Sequence, residues 1–339
     1  MKVVFMIFMI LGCFLGAGFV SGREIACYFS AFGKYSYIGI VLASVLMFFL
    51  IYMFFRLSKT TNTFDSFVCR YFGKSGVVIN WLFALCLFIL TSSMFAGSLA
   101  IAETINVSKI IFALITAVGC YFVVIGNVKI IEKISIILVP IIIVVMICIC
   151  GFKNFHFVDG DFFLSILSSS NYVFMNIVTL GLFILETGHS YTKKQSIVVA
   201  LTCSIIVFVM LILCNNAIIN FDLTQMSMPV LTMSAKKGFL SWIITAITIW
   251  IGLFTTIISC VFVLGNFLNK YIKNYKLTIF FILLATLACS NFGFAFLVGY
   301  VYWIIGFVGI ILVAKVIIQE KKTQRNFSFG SKDYKNLNQ

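Results

Sequence analysis

The feature that most constrains this chain is its series of apolar stretches, each long enough to cross a lipid bilayer as a helix. About 20 mainly apolar residues span a hydrocarbon core of roughly 30 Å. Ten stretches meet this length, at about residues 3–32, 35–57, 76–102, 107–127, 131–152, 166–190, 196–219, 239–267, 277–294 and 296–318. We therefore predict an all-α polytopic membrane protein with one transmembrane domain, residues 1–318, followed by a disordered polar tail, residues 319–339.

Composition excludes the main soluble classes. Charged residues make up 10% of the chain, against about 25% in ordinary globular domains, so a soluble fold would leave much apolar surface in water. The 11 cysteines mostly lie inside apolar stretches and show no metal-binding spacing, which favours a role as small hydrophobic side chains. Soluble enzymes, nucleic-acid-binding proteins and disulfide scaffolds are excluded. We expect the protein to be embedded in a lipid bilayer.

The net charge of +14 is best explained by membrane orientation, because cytoplasmic loops retain Lys and Arg. With the N-terminus inside, only five basic residues fall outside: Lys34, Lys109, Lys153, Lys236 and Lys237. Eighteen others fall inside and Arg23 lies within a span. The bias predicts a multi-pass protein of the cell membrane with both termini cytoplasmic.

Glycines indicate where the first span is interrupted. Residues 16–22 contain three glycines at mid-membrane depth, and each costs about 1 kcal/mol relative to Ala in a helix. Non-helical backbone at that depth is tolerated where it lines a cavity or is buried in protein. The alternative is close helix packing, because Gly12/Gly16 and Gly18/Gly22 have GxxxG spacing.

The sixth span carries a second candidate interruption, at Thr179, Leu180 and Gly181. Interrupted helices in corresponding positions of two halves indicate an inverted-repeat transporter whose site lies between them. The spans divide into five and five, about residues 3–152 and 166–318. We therefore predict a 5+5 inverted repeat with broken first and sixth helices.

The same segments resemble a known family. Residues 16–25, with Tyr28-Phe29 and Phe32-Gly33, are similar to the opening motif of the YkvI-like bacterial membrane proteins, and residues 292–309 to their final-helix signature. These proteins belong with the amino acid–polyamine–organocation transporters, which share the leucine-transporter fold. The resemblance implies an ion-coupled transporter of an amino-acid-like metabolite.

The resemblance also implies particular site residues. The substrate would bind at the two interruptions, which contribute Gly16, Ala17, Gly18, Phe19, Gly22, Glu24, Thr179, Leu180 and Gly181. A sodium-type site would combine carbonyls of Gly12 and Leu15 with hydroxyls of Thr255 and Thr256, since hard cations prefer oxygen ligands. Alternatively, these hydroxyls bond their own helix. No other cofactor is expected. The final span differs from the related symporters because it has no Asp to pair with Arg23.

Three charged residues fall within predicted spans: Arg23, Glu24 and Glu186. A charge at the bilayer centre costs at least about 2.5–3.5 kcal/mol and marks a functional hypothesis. Arg23 and Glu24 are about 100° apart on a helix, so they point different ways. Glu24 either contacts cargo or coupling ion, or caps the restarted helix; Glu186 is expected at an inner gate or in solvent.

Two functions remain on these grounds: a secondary transporter of a small polar metabolite, driven by Na+ or H+, or a receptor on the same fold that binds a ligand without moving it. Enzyme motifs such as GxSxG, HExxH and the P-loop are absent from the sequence, which argues against catalysis. Alternating access around a mid-membrane site is the expected mechanism.

Overall fold

The computed structural model describes residues 2–61, 64–126 and 129–336, without the side chains of residues 17, 64–65, 129–137 and 322–336. This part of the chain is built from helices and has no strand. The α-helices are α1 (Lys2–Phe14), α2 (Ala17–Val20), α3 (Arg23–Tyr28), α4 (Ser36–Leu57), α5 (Phe64–Phe72), α6 (Gly76–Thr104), α7 (Lys109–Gly126), α8 (Lys129–Cys150), α9 (Phe162–Thr187), α10 (Lys193–Asn220), α11 (Pro229–Lys236), α12 (Phe239–Ile272), α13 (Tyr275–Cys289), α14 (Phe294–Phe296) and α15 (Tyr302–Asn336).

The helices agree closely with the predicted spans. Among the described residues, eight helical segments are long and apolar enough to cross a membrane. Two further apolar helices are shorter, Lys2–Phe14 and Leu138–Cys150. They correspond to the first span, which is interrupted, and to the fifth, whose first part has no described side chains. Together these ten segments make the chain a multi-pass membrane protein.

The last helix extends further than expected. Residues 297–301 form a π-helical turn, and α15 then continues to Asn336. The predicted disordered tail, 319–339, is therefore helical up to that residue, and 337–339 lie outside the described residues. Gln319, Glu320, Lys321 and Lys322 are good helix formers, so the membrane helix can continue beyond the apolar stretch.

The centre of the bundle is formed around the first helix. α1 packs against α8, α9 and α10, while α2 packs against α6 and α12. α9 lies between α4 and α15, and α6 lies along α12. The two segments of the interrupted helix are therefore enclosed by the other long helices, where irregular backbone is shielded from lipid.

A short helix in the loop before the eighth span covers one end of the interruption. α11 begins with Pro229 at its first turn, where Pro is favoured because its missing N–H has no helical partner. The N–H of Val230 donates to the carbonyl of Ser21 over 3.0 Å. This bond joins the loop helix directly to the broken segment of the first helix.

Candidate functional site

The first helix is interrupted around the glycine-rich segment where one break was predicted, and the structure shows two turns there. α1 ends at Phe14, where the N–H of Leu15 donates to the carbonyl of Leu11 over 2.6 Å. A second turn follows α2, and Gly22 adopts the left-handed conformation there, with φ of 81°. That conformation is costly for residues with a Cβ atom, so glycine at position 22 permits the turn into α3.

The first interruption leaves two carbonyl groups without backbone partners. Within the described residues, no N–H group bonds the carbonyl of Gly12 or of Leu15, whereas the carbonyl of Gly16 accepts from Phe19 and Val20. Buried carbonyls are normally paired. Gly12 and Leu15 are the carbonyls expected to coordinate a cation, and both are available.

All four residues of the expected sodium-type site lie around one small cavity. Its lining contains Gly12, Leu15, Thr255 and Thr256, together with Gly252 and three apolar residues of α8, Leu138, Val139 and Ile142. Its volume is about 20 Å³, whereas one water needs about 10–15 Å³. The cavity therefore has the size of a single water molecule or a dehydrated monatomic cation.

The two threonines also make the bonds within their own helix that were the alternative interpretation. Both hydroxyls donate to the carbonyl of Gly252, over 3.0 Å from Thr255 and 2.9 Å from Thr256. A hydroxyl has one donor hydrogen and two acceptor lone pairs. These bonds use the hydrogens and leave the lone pairs available, so the two interpretations are compatible.

Glu24 is the buried carboxylate of the interruption. Its exposed fraction is 6%, and it forms no ion pair with a basic side chain in the described part of the chain. The carboxylate lies against Gly18, where an added Cβ atom would collide with it. Glycine at position 18 thus provides the space that the Glu24 side chain occupies.

Tyrosines surround this carboxylate. Glu24 interacts electrostatically with the hydroxyl groups of Tyr28, Tyr172 and Tyr302. The hydroxyl of Tyr172 is buried without a hydrogen-bond partner of good geometry, and that of Tyr302 is bonded to Ser93. These neighbours are polar but uncharged, and no cation of the described residues forms an ion pair with Glu24.

Arg23 points away from Glu24, as their angular separation predicted. Its guanidinium donates to the carbonyl of Thr224 over 3.2 Å and to that of Met226 over 3.0 Å. It also lies beside Gly299 in the π-helical turn of the last span. Arg23 therefore joins α3 to the loop before α11, which supplies the partners that the final span lacks.

Further aromatic rings pack against the tyrosines that interact with Glu24. The ring of Tyr172 contacts three others, with centroids 5.7 Å from Phe14, 5.4 Å from Tyr28 and 5.1 Å from Phe29. Tyr28 also stacks on Trp303 at 5.6 Å. Phe19, one of the predicted substrate residues, is fully buried and contacts Phe14 at 5.8 Å; the side chain of Ala17 lies outside the described part.

The predicted interruption of the sixth span is wrong. α9 runs without a break from Phe162 to Thr187 and includes Thr179, Leu180 and Gly181. The hydroxyl of Thr179 donates to the carbonyl of Asn176, as within an ordinary helix. Gly181 faces the ring of Phe54 on α4, where a Cβ atom would overlap it. The glycine permits close packing of two helices rather than a turn.

The residues of α9 that reach the interruption lie two turns earlier. Tyr172 contacts Phe14 and Phe29 from the first span, and Ser168 donates to the carbonyl of Tyr28 over 2.9 Å. Sequence reasoning missed both residues. The available signal was the polar run from Ser168 to Tyr172 in the middle of an otherwise apolar span, which is costly in lipid unless it faces protein.

The remaining charged candidate, Glu186, and two aspartates of the loop before α9 lie outside this cluster. Glu186 is exposed near the end of α9. Asp161 caps α9 by accepting from the N–H of Leu164. Asp159 pairs with Lys34 at 2.8 Å, and that ammonium lowers the pKa of the Asp159 carboxyl. The two aspartates thus have structural roles in the loop after α8.

Comparisons with known proteins identify the fold. No family model matches the chain, and no curated protein matches it. A solved structure described as the inward-facing conformation of Mhp1 matches with a TM-score of 0.66 at 11% identity, covering 89% of this chain and 73% of that one. Mhp1, described as a nucleobase-cation-symport-1 family transporter, also matches in a closed conformation with bromovinylhydantoin bound, with a TM-score of 0.58 at 10% identity over 93% and 75% of the two chains.

At such low identity the likeness establishes the fold alone. The predicted all-α, leucine-transporter-like architecture is confirmed, although the sixth helix is continuous here. The solved neighbours are described as transporters, and neither is described as an enzyme.

Proposed function

We propose that the protein is a secondary transporter that moves a small polar metabolite across the cell membrane by alternating access. The observation that carries this proposal is the interrupted first helix, where carbonyls of Gly12 and Leu15 that no backbone N–H group of the described residues bonds lie near a buried carboxylate at Glu24. Such groups are expensive to bury in a membrane and are retained where they bind something. The leucine-transporter-like fold supports this interpretation.

The cargo we infer is amino-acid-like, in keeping with the resemblance to the YkvI-like proteins. Glu24 would receive its ammonium group, and the rings of Phe14, Tyr28 and Tyr172 would contact its apolar part. A carboxylate in an aromatic enclosure favours a compact cation, because both the charge and the ring faces attract it. The small molecule bound to Mhp1 supports an organic cargo of modest size.

Na+ and H+ are both proposed as coupling ions, and different residues serve them. Na+ would occupy the cavity between Leu15 and Thr256, which offers carbonyl and hydroxyl oxygens. H+ would be carried by Glu24, the buried acid of the interruption. The termini would be cytoplasmic, as the distribution of basic residues indicates.

The test is uptake by purified protein in liposomes, with a labelled panel of amino acids, amines and carboxylic acids. Na+ and H+ gradients are imposed separately. We expect accumulation of a cationic or zwitterionic compound that requires one gradient. Gly18→Leu should abolish it, since the new side chain displaces the Glu24 carboxylate.

A matched control is Gly126→Leu, because an added Cβ at Gly126 meets open space. Its uptake should equal that of the unaltered protein. Wild-type uptake by Gly18→Leu would contradict the placement of the site. Saturable binding without uptake under either gradient would replace the transporter proposal with the receptor alternative.

A further inference from the structure

A second cavity lies away from the interrupted helix, between the end of α4 and the beginning of α10. Its volume is about 450 Å³, large enough for a polar headgroup. Its lining consists of Tyr52, Phe55, Arg56, Lys59, Lys193 and Ser196. Both helix ends lie where a membrane span meets the aqueous phase, on the face that holds the end of α1 at Lys2, since Lys2 donates to the carbonyl of Ser190.

The charge of this cavity is entirely positive. Arg56, Lys59 and Lys193 line it, and no acidic residue does. Within the described residues, none of the three forms an ion pair. α10 also begins at Lys193, and the amino end of this 28-residue helix adds partial positive charge. Three like charges in one cavity repel one another unless an anion joins them.

An apolar surface continues from the cavity toward the membrane centre. On α4, exposed Val45 and Phe49 precede Tyr52 and Arg56 at helical spacing, so all four share one face. On α10, Val198 and Leu201 are about half exposed. A ligand with an anionic head and hydrocarbon chains fits this arrangement, whereas a free anion would use only the basic part.

We propose that this cavity binds the phosphodiester headgroup of an anionic phospholipid, whose acyl chains lie on the exposed face of α4. Arg56 provides the bidentate donor that suits phosphate geometry, and the two lysines add charge from the turn after α4 and from the start of α10. Basic pockets between spans on the cytoplasmic side are suited to such headgroups. The site is independent of the transport proposal.

The test is native mass spectrometry of the purified protein with added lipid. Cardiolipin, phosphatidylglycerol and phosphatidylcholine are compared, and inorganic phosphate forms a separate arm. We expect the protein to retain cardiolipin or phosphatidylglycerol and to bind little phosphatidylcholine. Added inorganic phosphate should not change the amount of lipid bound. The triple variant Arg56→Gln, Lys59→Gln, Lys193→Gln should bind anionic lipid about 100-fold more weakly.

The matched control removes three exposed lysines outside the cavity, as Lys74→Gln, Lys194→Gln and Lys276→Gln. It should retain the lipid, which separates a specific cavity from general surface charge. Equal lipid binding by the two triple variants would overturn the proposal. So would equal retention of phosphatidylcholine, or displacement of the lipid by millimolar phosphate, which would assign the cavity to a free anion.

Discussion

At the scale of single residues, Glu24 is the residue that most needs a functional explanation. Its carboxylate is buried against Gly18 and faces tyrosines rather than a cation. Isolating a carboxylate from water and from opposite charge is costly. Arg23, its neighbour in sequence, is engaged by carbonyls of the loop before α11. Because no basic side chain of the described residues pairs with Glu24, we propose that a proton or a cationic group of the cargo neutralises it.

Replacing this carboxylate by its uncharged isostere tests that conclusion. Glu24→Gln keeps the shape of the side chain and should lower uptake about 10–100-fold, the loss expected for a charge-assisted hydrogen bond. Thermal stability should be unchanged or higher, because a buried charge is removed. The control is Glu103→Gln, at an exposed carboxylate paired with Lys109. Full uptake by Glu24→Gln would exclude the carboxylate from the transport cycle.

The two threonines of α12 allow a test of the cation site. Thr255→Val with Thr256→Val removes two candidate ligands and preserves volume, so Na+ stimulation of uptake should disappear while folding is retained. Thr245 and Thr248 lie earlier on α12 and also bond their own helix. The same change at those positions should leave Na+ stimulation intact. Equal Na+ dependence in both double variants would remove the cavity from the coupling mechanism.

Residue-level prediction brought together four residues near a backbone interruption, and their role in binding a cation stays a prediction. Gly12, Leu15, Thr255 and Thr256 lie around one cavity as the resemblance implied, because the interruption and the eighth span are fixed by the fold. Tyr172 was not predicted. Aromatic residues are common in this chain, and only the three-dimensional contact with Phe14 and Glu24 distinguishes it.

At the scale of helices, glycines interrupt the first span but permit close packing of α9 without interrupting it. Residues 16–22 combine three glycines with a left-handed turn at Gly22, and the helix is interrupted there. α9 contains the lone Gly181, and it continues through that residue. One glycine costs about 1 kcal/mol in a helix, which tight packing against Phe54 can offset. A single glycine therefore does not predict an interruption.

Substitution at this packing glycine should affect stability rather than the substrate site. Gly181→Leu would force the side chain into the ring of Phe54, and overpacking of this kind costs about 1–3 kcal/mol. Thermal unfolding in detergent should show a lower midpoint, with less change for Gly126→Leu, which meets open space. An unchanged midpoint for Gly181→Leu would mean that α4 and α9 can separate at this contact without cost.

At the scale of the whole molecule, hydropathy predicted the positions of the eight long apolar helices in the described residues, because bilayer thickness fixes how long each apolar stretch must be. It could not predict α5 or the full length of α15, since both lie in polar sequence outside the apolar stretches. The orientation of the bundle is a separate matter, because identical helices could be inserted either way.

Orientation is predicted from the distribution of basic residues and can be measured directly. Cys69 on α5 is an exposed cysteine in the segment between the second and third spans, which is expected to be cytoplasmic. In intact cells, a membrane-impermeant maleimide should label it only after permeabilisation. His156→Cys, made in a Cys69→Ser background, places an exposed thiol in the loop after α8 and should react in intact cells. The opposite pattern would reverse the topology and place Arg23 and its carbonyl partners on the cytoplasmic side, where the interruption would be sealed from the cell interior.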